Sequence, residues 1–328
     1  MSAKPWLFSI ALRRFAVVGS DMIRTVPAQV SVVLGTYNRL SFLKATIASV
    51  RASEIDVPYE IIVVDGGSTD GTVDWLMKQR DIITIVQHNR EMSAGKARRK
   101  RSWGYFMNLG FKCAEGRYVC LISDDSVVHP DTLANGVRHF DREIAGDRRL
   151  GAVAFYWRSW PEEQMYRVGF TLGNKIMVNH GLFLREALEH VGWIDDKSYD
   201  FYCADGDLAL KIWHAGYEIG ACETALLEHF EHVDPNIREQ NLTGLKVDRD
   251  TYENRWTGIY YDPVHPVSGG WIYLQGVSVR DSAHLFPEHA KEQMPVVNLS
   301  VVKRLRRKLA RLKNGVISNR NKSTPSQA

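Results

Sequence analysis

The sequence predicts an α/β fold with a mostly parallel central sheet flanked by helices, and three features carry that prediction. Several short β-branched runs lack the polar alternation of a half-exposed strand, as strands covered on both faces do. The early runs are separated by apolar residues at helical spacing. They also stop abruptly on glycine and polar residues, which in an open α/β sheet is where ligands bind.

The first strand is Val30-Ser31-Val32-Val33-Leu34, ending at Gly35-Thr36. Leu40, Leu43, Ile47 and Val50 then recur on one helical face. Ile61-Ile62-Val63-Val64 is the second strand, closed by Asp65-Gly66-Gly67-Ser68, and Asp70 opens a helix bearing Val73, Leu76 and Met77. Further strands are expected at Ile82–Val86, Tyr118–Ile122 and Gly151–Tyr156.

Composition bounds the rest. A chain of 328 residues with 45% hydrophobic and 24% charged content suits one large α/β domain or two closely packed halves. Cys113, Cys120, Cys203 and Cys222 have neither metal-ligand spacing nor the density of a disulfide framework, which points to a reducing compartment. No stretch reaches the roughly 20 apolar residues that span a bilayer. The start, Trp6 to Leu12 followed by Arg13-Arg14, has the wrong order for a secretory signal, so a cytoplasmic protein is expected.

Three strand ends carry polar clusters: Thr36-Tyr37-Asn38-Arg39, Asp65 to Asp70, and Ser123-Asp124-Asp125. Any one of them reads equally well as a turn, but together they predict a single site built from three loops. In a strand, residues two apart share a face, so Ser123 and Asp125 are expected to point together with Asp124 turned away.

These segments carry a family resemblance. Val-Ser-Val-Val-Leu-Gly-Thr-Tyr-Asn-Arg followed by Ile-Ile-Val-Val-Asp-Gly-Gly-Ser-Thr-Asp-Gly-Thr resembles the opening of family 2 glycosyltransferases, which have the GT-A (Rossmann-like) fold. Asn108-Leu109-Gly110, Ala114 to Tyr118, Leu121 to Asp125, Arg185 to Leu188, Val191 to Asp195, Asp205-Gly206-Asp207-Leu208, Gly216-Tyr217 and His229 continue the pattern in order, over about residues 30–260.

The resemblance implies an inverting transfer of a sugar from a nucleoside-diphosphate donor, UDP- or dTDP-linked by preference, to a hydroxyl of a glycan or lipid-linked acceptor. It assigns Thr36, Tyr37, Arg39 and Asp65 to the nucleoside, with Ser123, Asp124 and Arg101 as further donor contacts. Arg101 closes a basic run, Lys96, Arg98, Arg99 and Lys100, that is equally readable as a solvated loop. Mg²⁺ or Mn²⁺ is implied at Asp125 with help from His229, because a hard cation held by one or two carboxylates and phosphate oxygens neutralises a departing diphosphate. Asp205 matches the general base, at the start of a helix whose dipole favours its ionised form. Ser123 and Ala204 stand where the family has acids, so a non-catalytic nucleotide-sugar binder or scaffold is the alternative. A nucleotidyltransferase would need a glycine-rich basic loop after the first strand, and a dinucleotide oxidoreductase G-x-G-x-x-G; neither is present.

On this reading residues 1–29 are an N-terminal extension, 30–126 the nucleotide-sugar half, 127–260 the acceptor half, and 261–296 an extension packed on the domain. Residues 297–328 are a basic amphipathic helix and tail, with nine Lys or Arg and no acid, against 33 basic and 38 acidic residues elsewhere. Leu299, Val302, Leu305, Leu309 and Leu312 share one helical face there. Residues 297–313 are therefore expected on an anionic membrane surface, on the inner face, rather than on nucleic acid or a protein partner. The aromatic segment Tyr252 to Tyr273 lines an acceptor cleft or belongs to the core.

Overall fold

The computed structural model describes residues 27–93, 96–160, 163–230, 242–266 and 269–277, with backbone alone over 90–99. The expected N-terminal extension before residue 27 and the basic tail lie outside the described residues.

The described elements run β1 (Val30–Thr36), α1 (Leu40–Arg51), β2 (Tyr59–Asp65), α2 (Thr72–Leu76), β3 (Ile82–Val86), β4 (Arg90–Ser93), β5 (Lys96–Lys100), α3 (Trp103–Cys113), β6 (Tyr118–Leu121) and β7 (Ser126–Val128). They continue with α4 (Thr132–Ala145), β8 (Leu150–Ser159), β9 (Arg167–Gly169), β10 (Gly181–Leu184), α5 (Arg185–His190), α6 (Ala204–His214), β11 (Glu218–His229), α7 (Leu245–Trp256) and β12 (Trp271–Tyr273).

One sheet holds ten of the strands, in the order β12-β9-β8-β10-β6-β1-β2-β3, with β11 paired to β8 and β7. β3 pairs with β2, β2 with β1 and β1 with β6, each pair parallel. Val30, Val32 and Leu34 face a core layer shared with Leu43 and Ile47 of α1, whereas Val33 faces the layer of Met107 and Phe111 from α3. Both faces of β1 are thus apolar, which is why its sequence does not alternate.

The sheet is mostly parallel as expected, and β11 runs parallel to β8, but beyond β6 antiparallel strands enter. β10 runs antiparallel to both of its neighbours, β6 and β8. Its apolar Leu182-Phe183-Leu184 looks the same in sequence whichever way it runs, because burial on both faces dictates composition and not direction. The consequence for function is that the start of β10, not its end, meets the carboxyl edge of the parallel strands: Gly181 pairs with Leu121, the last residue of β6.

Close packing of α3 depends on Gly110, where a Cβ would stand 2.4 Å from Val33 Cγ1 and 3.1 Å from Val64 Cγ2. Asn108, two residues earlier, is 4% exposed and holds Ile194 through both backbone groups. The basic run forms a separate two-stranded hairpin, β4-β5. No described helix is long and apolar enough to cross a membrane.

Candidate active site

The first two loops interlock. Asn38 has φ of 53°, a left-handed conformation that asparagine tolerates well. This turn lets its backbone N–H donate to Ser68 Oγ and its Oδ1 accept from Thr69 N–H. Asp70 accepts from Leu40 N–H and from both donors of Thr72, tying the start of α1 to that of α2.

Asp65, assigned by resemblance to the nucleoside, is fully buried. Its Oδ1 accepts from Gly67 and Ser68 N–H at 2.7 Å each, and its Oδ2 from Ser68 Oγ at 2.6 Å. In this structure the carboxylate shapes its own loop, and Tyr37 of the first loop, 38% exposed, lies beside Gly66.

The third loop departs from strand geometry. β6 ends at Leu121 and Ser123 to Asp125 form a turn, so the expected face-sharing of Ser123 and Asp125 does not apply. Both carboxylates converge on Arg39, whose Nη1 donates to Asp124 Oδ1 at 3.1 Å and to Asp125 Oδ2 at 2.8 Å. Thr36 Oγ1 donates to Asp124 Oδ2 at 2.7 Å, and Ser123 Oγ lies 2.8 Å from Ser126 Oγ. Thr36 therefore holds Asp124 in place. Arg101 stands apart: its guanidinium packs 4.4 Å over the Tyr105 ring, and among the described residues no contact joins it to the acidic turn.

Burial pushes the Asp124 carboxyl up to about 6, with Asp125 repulsion adding to it against the pull of Arg39. Burial acts the same way on Asp125, but the charges of His229 and Arg39 overcome it and hold that carboxyl well below the usual range. His229, at the end of β11, brings Nε2 to 3.2 Å from Asp125 Oδ1. That oxygen is buried and accepts no well-aligned hydrogen bond.

A divalent cation fits these residues. An ionised carboxylate with an orphaned oxygen is the hard donor that Mg²⁺ or Mn²⁺ takes, and His229 stands beside it. Among the described residues no group of three or more His, Cys, Asp or Glu is placed to cage a metal, which leaves the other positions to phosphate oxygens.

Asp205 lies in the first turn of α6, behind the N-cap Cys203, so it is not itself the cap. Its Oδ1 accepts from Gly206 N–H at 2.8 Å and its Oδ2 from Asn179 Nδ2 at 3.1 Å. Burial raises its pKa, partly offset by these hydrogen bonds, which makes it a stronger base. Asp207 is fully buried and accepts from Tyr199 OH, Arg255 Nη1 and Trp256 Nε1, locking α6 to α7. Asp248 of α7 accepts from the backbone N–H groups of Asp200, Phe201 and Tyr202, fixing the loop that leads into Asp205.

Sequence reasoning missed Asn179 and His180, the two residues ahead of β10. Asn179 holds Asp205, while His180, 2% exposed, packs with its ring centroid 4.8 Å from that of His229. Consecutive residues thus touch the candidate base and the histidine of the acidic turn. Their signal was present, since polar residues flank a buried apolar run. It was readable only with the direction of β10 known.

The family model for "Glycosyl transferase family 2" matches residues 31–190. Among curated proteins, the chain is 26% identical over 190 residues to an uncharacterized glycosyltransferase of Bacillus subtilis, YfnE, covering 56% of this chain and 46% of that one. It is 25% identical over 157 residues to the Escherichia coli UDP-Glc:alpha-D-GlcNAc-diphosphoundecaprenol beta-1,3-glucosyltransferase WfaP, covering 48% and 55%. The matches span 28% and 46% of the first two curated relatives, so the chain matches less than half of their length. Of solved structures, Staphylococcus aureus TarS 1–349 is similar with 18% identity and a TM-score of 0.48, over 61% of this chain and 60% of that one.

Proposed function

From the match of residues 31–190 to the model of glycosyl transferase family 2, we propose that the chain transfers a sugar from a nucleoside-diphosphate donor to an acceptor hydroxyl with inversion. The observation that carries the reading is the bridge at 179–180. Asn179 contacts the candidate base, Asp205, and His180 packs on His229, which pairs with Asp125, and this linkage supports an in-line displacement.

In this reaction the acceptor oxygen forms a bond to the anomeric carbon as the bond to the diphosphate oxygen breaks. The hydroxyl proton passes to the Asp205 carboxylate, and the nucleoside diphosphate leaves with its electron pair. Asn179 keeps the receiving carboxylate oriented. Tyr37 offers an exposed ring face to the base, and Asp65 shapes the loop beneath it. Asp125, with His229, would hold Mg²⁺ or Mn²⁺, which supplies charge neutralisation for the leaving diphosphate. Arg39 meanwhile balances the acidic turn.

The acceptor is a glycan or a lipid-linked saccharide, a reading supported by the similarity to WfaP, whose name gives a diphosphoundecaprenol-linked acceptor. Residues 297–313 would hold the protein at an anionic membrane, where each basic residue contributes about 1 kcal/mol. The test of the function is a thermal-shift screen against UDP-, dTDP- and GDP-sugars with and without Mn²⁺. A metal-dependent rise with one nucleotide, lost in Asp125→Ala, is expected. Absence of any shift would favour the non-catalytic alternative.

A further inference from the structure

We propose that Trp271 is the stacking platform for a pyranose ring of the acceptor, an assignment that rests on the glycosyltransferase reading and specifies its acceptor side. Trp271 is 43% exposed, on a three-residue strand at the edge of the sheet.

Its orientation is fixed from behind. The Arg167 guanidinium lies 4.3 Å from the ring centroids of both Trp157 and Trp271, and the two indoles meet edge to face with centroids 5.5 Å apart. Arg167 is itself 6% exposed and ion-paired to Glu163. A cation buried between two indoles is a rigid mount, and rigidity lowers the entropic cost of binding on the remaining face.

The position of the platform names its ligand. Trp271 pairs with Gly169, and a Cβ on Gly169 would stand 3.3 Å from both Trp271 Cζ3 and Asn179 Oδ1. The absent side chain lets the indole lie close to the amide that holds Asp205. On the other side Trp157, in contact with Trp271, packs 5.3 Å from His229, which pairs with Asp125. The indole is thus linked through Asn179 to Asp205 and through Trp157 and His229 to Asp125. A flat apolar face beside a carboxylate and an amide suits a pyranose, whose ring carbons present C–H groups while its rim presents hydroxyls. Nearness to Asp205, which must reach the attacking hydroxyl, assigns the ring to the acceptor.

Saturation-transfer NMR on the full chain with UDP and Mn²⁺ tests this, using methyl glycosides of glucose, galactose, mannose and N-acetylglucosamine as probes. At least one glycoside is expected to bind the wild type. Trp271→Ala should weaken it about tenfold, equivalent to about 1.4 kcal/mol, and Trp271→Phe should retain most of it. UDP and UDP-glucose affinities should not change in either variant, and their melting temperatures confirm that both are folded. Unchanged glycoside binding in Trp271→Ala, or no glycoside binding to the wild type, would overturn the assignment. A loss confined to UDP-glucose, with UDP unaffected, would also overturn it by giving the platform to the donor sugar. If instead the wild type binds glycosides but no sugar nucleotide, the platform stands and the transferase reading fails.

Discussion

Replacing Arg39 with methionine removes the cation from the acidic turn while keeping a long apolar stem. In the native turn the Arg39 side chain is 22% exposed and its Asp124 and Asp125 partners 6% and 9%. Removing one partner of a buried ion pair costs about 3–5 kcal/mol, and the partial exposure of Arg39 argues for about 3. For a folded unit of this size, about 3 kcal/mol corresponds to a fall of about 6–12 °C in Tm. Calorimetry in a metal-chelating buffer would read it.

The deficit must also depend on pH. The folded pKa of Asp124 is raised to about 6, so its contribution is complete below the unfolded value and lost as pH rises through about 6. Asp125 is depressed, so its contribution is present above the unfolded carboxylate value and is lost as pH falls through the lower folded one. Loss of Arg39 moves both carboxyls upward, and the variant then binds more protons than the wild type. Its deficit is therefore largest above about pH 6 and narrows on acidification. A Tm change under about 2 °C, or a deficit equal at about pH 5 and pH 8, would refute the claim that Arg39 balances this turn.

Asn179→Ala removes a hydrogen bond that lowers the Asp205 pKa, so the acid limb of the kcat/KM profile for transfer should move to higher pH. Asp205→Asn should reduce transfer by about 100-fold or more. It should also raise Tm at neutral and alkaline pH, because it removes a buried charge whose folded pKa is raised, and the gain should fade where Asp205 is protonated. Gly110→Ala places a methyl 2.4 Å from Val33 Cγ1, and denaturant unfolding should show a net loss of about 1–2 kcal/mol after the helical gain. Deleting residues 297–328 should abolish sedimentation with anionic vesicles and leave sugar-nucleotide binding unchanged.

The parallel half of the sheet was legible because burial on both faces leaves an unbroken apolar run with an abrupt polar end. β1, β2 and β6 all show it, and each end supplies part of the site. The direction of β10 was not legible, and with it went Asn179 and His180. The pairing of Asp124 with Asp125 was misread for a related reason. The alternation rule holds only inside a strand, and β6 ends four residues before Asp125. Asp65 was recognisable by position, but its hydrogen bonds to Gly67 and Ser68, which shape the turn, were not. The aromatic segment Tyr252 to Tyr273 left core and cleft open, and the structure divides it between buried and exposed rings. Tyr252 and Trp256 are buried, whereas Trp271 and Tyr273 are exposed.

The central claim is that Asp205 accepts the acceptor proton in a sugar transfer supported by the acidic turn. Chromatographic measurement of nucleoside diphosphate released from a panel of sugar nucleotides, with Mn²⁺ and mixed glycan acceptors, tests it most directly. The wild type is expected to show acceptor-stimulated release from one donor. Stimulation should be lost in Asp205→Asn while that variant still binds the donor. Full stimulation in Asp205→Asn, or a wild type that binds donors and releases nothing with any acceptor, would contradict it.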